Sequence, residues 1–161
     1  MLERTIAEIR GDEIADETSV SINLGIDLSI PKEYISDTSQ RLRTYKRISS
    51  AESEAALSQI HTEIGDRYGH IPESVENLFA YGRLRKFAED MRVISIDKTA
   101  NGLAVKLGEN AKVSPEKLMR FLAENEDANF SPNGILRVLS DTENPIANAR
   151  LALEGIKNAE A

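Results

Sequence analysis

Glu63 and Asp66 are the acidic pair whose spacing most invites a chemical reading. Three apart within a stretch of helical periodicity, they share one face, offset from the apolar stripe Leu57-Ile60-Ile64. Paired carboxylates can perform general acid–base chemistry when an apolar pocket raises the pKa of one of them. The sequence around them offers no such pocket. The plain reading is therefore a solvated helix face: Glu63 pairs with Arg67 at i,i+4, worth a few tenths of a kcal/mol, and Asp66 is hydrated. His61 and His70 are the only imidazoles, with a helix end expected between them. That placement favours a helical surface histidine and a loop histidine over a two-histidine metal site.

Other reactive constellations are missing from the sequence. None of the nine glycines is followed by lysine, so the phosphate-cradling Gly-x4-Gly-Lys-Ser/Thr loop is absent, as are Gly-x-Ser-x-Gly and Gly-x-Gly-x-x-Gly. With no cysteine, the chain has no thiolate zinc site, disulfide or thiol nucleophile. A small hydrolase built on His61, His70 and a carboxylate would lack a nucleophile motif.

The elements that must position these residues read as one α+β domain, within a chain of 161 residues that is 40% apolar and 29% charged. No apolar run reaches membrane-spanning length, and Met1-Leu2-Glu3-Arg4 lacks the apolar core of a signal peptide. A cytoplasmic chain, or a piece of one, is expected. The net charge of −7 is concentrated in residues 1–40, where nine acids face three bases. An acidic chain is poorly suited to non-specific duplex binding. Two basic clusters remain, Arg41/Arg43/Lys46/Arg47 and Arg83/Arg85/Lys86/Arg92. They read either as solvated helix faces or as a nucleic-acid-binding surface whose stacking aromatics would be Tyr45 and Tyr81.

Leu2, Ile6 and Ile9 predict a short helix ending at Gly11, followed by an acidic link over 12–17. From Val20 to Ile30 apolar and polar residues alternate strictly, which predicts a long half-buried strand with Gly25 as a candidate bulge and Pro31 as its end. Asp37 or Ser36 caps a helix turning Leu42, Tyr45 and Ile48 inward. Ser50 or Ser53 starts the next, which buries Leu57, Ile60 and Ile64 and stops near Gly69. Pro72 opens a third helix with an apolar face from Val75 to Met91, in which Gly82 permits close approach. Asn101-Gly102, between Ile94-Ser95-Ile96 and Leu103 to Leu107, predicts a hairpin with a type I′ turn. Ser114-Pro115 opens a helix with Leu118, Met119 and Leu122 inside. Residues 135–139 form a strand, and Asn144-Pro145 opens a final helix burying Ile146, Ala149, Leu153 and Ile156. The expected fold is a small, largely antiparallel sheet packed against several helices.

Three blocks in order, Ile30-Pro31-Lys32-Glu33-Tyr34-Ile35, Arg41-Leu42-Arg43-Thr44-Tyr45-Lys46-Arg47 and Glu63-Ile64-Gly65-Asp66-Arg67-Tyr68-Gly69-His70-Ile71-Pro72, resemble the C-terminal domain of the bacterial transcription-repair coupling factor (Mfd) family. The family pattern is I-P-x-x-Y-I, R-L-x-x-Y-[KR]-R, then a helix ending D-R-[FY]-G-x-x-P. Tyr68 stands where phenylalanine is more usual, and Gly65 occupies a position that tolerates variety. The resemblance implies a non-catalytic regulatory domain over 18–161, with 1–17 the end of a preceding linker helix and its acidic link. Its parent would be an ATP-dependent DNA translocase acting in transcription-coupled nucleotide excision repair. ATP and magnesium would bind the parent's motor domains, leaving this fragment without a cofactor or metal of its own. RNA polymerase and DNA would likewise meet other domains. The resemblance further implies that the domain packs on the UvrB-like module of the same polypeptide and masks UvrA binding, with Glu63 and Asp66 facing basic residues of that module. No functional role carries over beyond about residue 113.

Overall fold

The computed structural model describes residues 20–139 and 144–157, so the expected helix over residues 2–9, the acidic link and the boundary at residue 17 lie outside the described residues. The class is α+β, with five helices and a five-stranded sheet among the described residues. The described residues separate into two compact units: Leu24–Phe87 forms one, and residues 20–23 join the described residues from Ala88 onward in the other.

The first unit is helical. Helix α1 (Thr38–Ser50) starts at Asp37, whose carboxylate accepts from the Gln40 N–H, and α2 (Glu54–Tyr68) starts at Ser53, whose hydroxyl accepts from the Ala56 N–H. Gly69 ends α2 at φ +90°, a backbone state that glycine enters without steric cost. Helix α3 (Glu73–Asp90) follows Pro72, whose carbonyl accepts from the Val75 and Glu76 N–H groups. Ile35, Ile48, Leu57, Ile60, Ile64, Val75 and Phe79 belong to one buried cluster.

Leu42 departs from expectation: it is 63% exposed, while Thr44 and Ile48 are buried. At about 100° per residue, Leu42 stands roughly 200° from Thr44, so both cannot face inward. Thr44 occupies that face because its hydroxyl donates to the Gln40 carbonyl (2.8 Å), which satisfies its polar group locally. Gly82 is buried, and a Cβ there would lie 3.6 Å from Leu57 and 3.7 Å from Ile48, an ordinary packing distance.

The predicted long strand is realised only as β1 (Ser21–Asn23). Burial still alternates through Leu24 and Ile30, with Gly25, Asp27 and Ser29 exposed. Pairing stops because Gly25 turns to φ +66° and because the next backbone donors find side chains. The Ser29 N–H goes to the Asp27 carboxylate (2.9 Å), and the Ile30 N–H goes to the Tyr45 hydroxyl. Pro31 does end the extended stretch, its carbonyl accepting from the Tyr34 and Ile35 N–H groups.

The second unit carries β2 (Val93–Lys98), β3 (Gly102–Leu107), β4 (Asn129–Phe130) and β5 (Ile135–Leu139), with helices α4 (Pro115–Glu124) and α5 (Pro145–Ile156). Strand order is β1-β2-β3-β5-β4, with β1 parallel to β2 and every other pair antiparallel. The β2–β3 hairpin forms as expected, but its turn is not type I′: neither Asn101 nor Gly102 has a positive φ. Ala100-Asn101 make the reversal instead, closed by the Thr99 N–H on the Gly102 carbonyl (2.8 Å).

Ser114 and Asn144 cap α4 and α5, each followed by proline as expected. Ile146, Ala149, Leu153 and Ile156 are buried in α5. Met119 is not: at 69% exposure it points away from the half-buried Leu118, Phe121 and Leu122, whose spacing of three and one fixes the inward side. Gly134 has φ +84°, and a Cβ there would stand 2.6 Å from the Leu107 carbonyl oxygen, so β5 needs glycine at its entry.

Candidate functional site

The three motif blocks are in contact with one another within the helical unit. Tyr45 of the second block accepts from the Ile30 N–H of the first. Tyr34 of the first directs its hydroxyl at the Gly69 carbonyl (2.9 Å), with the Ile64 carbonyl at 3.2 Å, and so closes the C-terminal end of α2. Burial, reinforced by Glu76 and then Tyr68, raises the Tyr34 pKa above its ordinary value, which keeps it a protonated donor. Its ring lies 5.7 Å from that of Tyr68, over which the Arg67 guanidinium sits at 5.3 Å. Arg41 of the second block donates to the Ile35 and Ser36 carbonyls at 2.8 and 3.0 Å. Most of the motif residues are thus explained by the fold.

Ion pairs tie α2 to both its neighbours. On one side the Arg47 guanidinium of α1 donates to Glu63 Oε2 at 2.7 Å. On the other, Arg83 Nε lies 2.8 Å from Glu54, and His61 Nε2 lies 2.8 Å from Glu76 while its ring meets the edge of Phe79 at 5.0 Å. His61 is therefore a surface histidine with a carboxylate partner, and His70 is exposed. No group of three or more His, Cys, Asp or Glu side chains among the described residues could hold a metal.

Glu63 and Asp66 are both exposed on α2, as their spacing required. The expected Glu63–Arg67 pair is not formed. Arg47, sixteen residues away, holds Glu63 instead, because Arg67 lies over Tyr68. The hydrogen bond from Arg47 pulls the Glu63 carboxyl below its ordinary range, and the same bond raises the Arg47 pKa. Asp66 makes no ion pair or hydrogen bond among the described residues.

The basic clusters are largely committed elsewhere. Arg41, Arg47 and Arg83 are engaged as above, Arg85 donates to the Ser49 carbonyl at 2.6 Å, and Arg92 falls in the other unit. Of the two proposed stacking aromatics, Tyr45 holds the Ile30 amide and Tyr81 is half-buried. In the sheet unit an open groove of about 610 Å³ is lined by Phe121, Val138, Leu139 and Leu151, with Glu124 and Asp127 among its polar walls. No described helix is long and apolar enough to cross a membrane.

Fold and site together define an α+β domain whose distinctive polar groups are ion pairs and carboxylates on a helix surface. The chain belongs to the TRCF domain family, whose model matches residues 24–118. It is similar to the transcription-repair-coupling factors of Haemophilus influenzae (32% identity over 106 residues, 66% of this chain and 9% of that protein), Bacillus subtilis (32% over 121 residues, 73% and 10%) and Escherichia coli (30% over 115 residues, 70% and 10%). The chain spans about a tenth of the length of these curated relatives. Its fold is like that in the crystal structure of a C-terminal domain of transcription-repair coupling factor, with a TM-score of 0.69 over 86% of this chain and 94% of that one, at 18% identity.

Proposed function

We propose that this chain is a regulatory, non-catalytic C-terminal domain of a transcription-repair coupling factor. In the intact parent it docks on the UvrB-like module and hides the surface that UvrA binds, so that transcription-coupled repair proceeds only once the domain is released. ATP and magnesium serve the parent's motor domains, and this domain binds neither. The observation that carries the reading is the outward face of α2. Glu63 and Asp66 stand there at helical spacing, exposed, on a helix whose end is held by Tyr34. Both side chains are dispensable for the apolar core, which is what a docking contact that must open and close requires.

Charge pairs at a partly desolvated interface couple by about 1.5 kcal/mol or more. The double change Glu63→Ala/Asp66→Ala in the intact parent is therefore expected to raise UvrA binding about tenfold or more, with the fold retained and the melting temperature lowered only slightly by loss of the Arg47 pair. UvrA capture equal to that of the unaltered parent would reject the docking role. The rival reading, a nucleic-acid-binding module, is tested by anisotropy of labelled single- and double-stranded DNA at two salt concentrations. Binding tighter than about 10⁻⁶ M, steeply weakened by salt, would favour it.

A further inference from the structure

Glu63 and Asp66 share a face but differ in availability, and the difference lies in Arg47. The Arg47 Nη1 donates to one carboxylate oxygen of Glu63, Oε2, while Oε1 makes no hydrogen bond among the described residues. Both side chains of the pair are about half exposed, at 41% and 48%. Solvent therefore reaches the pair, and a second cation can reach it too. An incoming basic group meets Asp66 as a bare carboxylate, but it meets Glu63 as a neutral pair fronted by a positive charge.

We propose that Arg47 is an internal competitor that attenuates docking at Glu63, and that Asp66 is the open anchor to which a partner's guanidinium or ammonium group binds first. The inference deepens the docking role proposed above and rests on it for its biological meaning. In chemical terms it needs only that a cationic partner uses this face. Attenuation suits a contact that must be broken. An exposed ion pair is weak, so a partner's cation can displace Arg47, and Arg47 can take Glu63 back when the partner leaves.

The test uses this chain and a tetra-arginine amide as probe, with affinity read from NMR shifts at residues 63–66. Asp66→Asn is expected to weaken binding about fivefold or more, whereas Glu63→Gln alone changes it less than twofold. Arg47→Gln is expected to tighten binding about two- to fivefold, the range an exposed pair supports. The gain should vanish in Arg47→Gln/Glu63→Gln. Arg47→Lys, with a single-point charge in place of the fork, should fall between parent and glutamine, and it serves as the informative variant if glutamine at position 47 impairs folding. Unchanged or weaker binding on losing the Arg47 charge would overturn the proposal, since Arg47 would then position Glu63 or play no part. A second arm measures UvrA capture by the intact parent carrying Arg47→Gln, where a more firmly closed domain should capture less. Success with the peptide and failure with UvrA would reject the UvrA-masking role while leaving the competition at Glu63 standing.

Discussion

The helical unit and the sheet unit are wired in different ways. In the helical unit, elements distant in sequence are joined by side chains: Tyr45 to the Ile30 amide, Tyr34 to the end of α2, Arg85 to the Ser49 carbonyl, Arg47 to Glu63 and Arg83 to Glu54. In the sheet unit, ties between backbones stand out, beside one side-chain bond from the Asn23 amide to the Asp97 carboxylate. Besides the ladders, the Leu107 N–H meets the Gly134 carbonyl at 2.8 Å, Lys112 meets Met91 at 2.7 Å and Ser114 meets Ile156 at 3.0 Å. A backbone tie accepts many side chains, whereas a side-chain tie demands one residue type. The three motif blocks sit in residues 30–72 of the helical unit, and the family model extends from residue 24 to residue 118, across β2 and β3 of the sheet unit.

That contrast can be broken most forcefully at Gly134. An alanine there would combine a left-handed backbone with a Cβ only 2.6 Å from the Leu107 carbonyl. Gly134→Ala is expected to cost about 2–4 kcal/mol, read by denaturant unfolding. A loss below about 1 kcal/mol would mean that the β3–β5 junction is not fixed by its backbone. Tyr45→Phe tests the other mode of wiring. It keeps the ring but strands the Ile30 N–H, at an expected cost of about 1–3 kcal/mol, and hydrogen exchange at Ile30 should rise selectively. Gly65→Ala should act in the opposite direction, stabilising by about 1 kcal/mol. The nearest atom to a Cβ there is Ile71 Cδ1 at an ordinary 3.7 Å, and the position has no positive φ to protect. A loss of stability would place a constraint on α2 that the contacts do not reveal.

The smallest effect concerns pH. The folded-state pKa of Glu63 is lowered by Arg47, so its contribution is present above the unfolded carboxylate pKa and is lost as pH falls through the folded value. Glu63→Gln should therefore lower the melting temperature slightly at neutral pH, and parent and variant should converge in acid below the ordinary carboxylate range. A difference that persists there would show that Glu63 acts through something other than its charge.

Local signals were the most legible in the sequence. Asp37, Ser53, Ser114 and Asn144 each cap the helix they precede, because a cap is decided by residues two or three positions away. Leu42 and Met119 face outward against expectation, since helical spacing alone does not say which of two adjacent positions faces inward. Alternation from Val20 to Ile30 overstates the strand, because alternation reports burial, whereas pairing depends on where each amide finds its acceptor. Strand β4, two residues long, has no period to detect. At the candidate site, exposure of Glu63 and Asp66 followed from their offset from Leu57, Ile60 and Ile64. The partner of Glu63 did not, because i,i+4 spacing points to Arg67 and only the tertiary fold brings Arg47 alongside.

The parallel register of β1 on β2 has a consequence for how the chain folds. Asn23 and Asp97, joined by a 3.0 Å side-chain bond, are 74 residues apart, and the whole helical unit is spliced between them. Joining such distant strands requires the intervening loop to close first, a cost in chain entropy that local helical contacts do not carry. During synthesis β1 emerges early and must wait for a partner made much later. The helical segment can collapse in the interval, shortening the effective loop, so attachment of β1 is expected among the last steps of assembly.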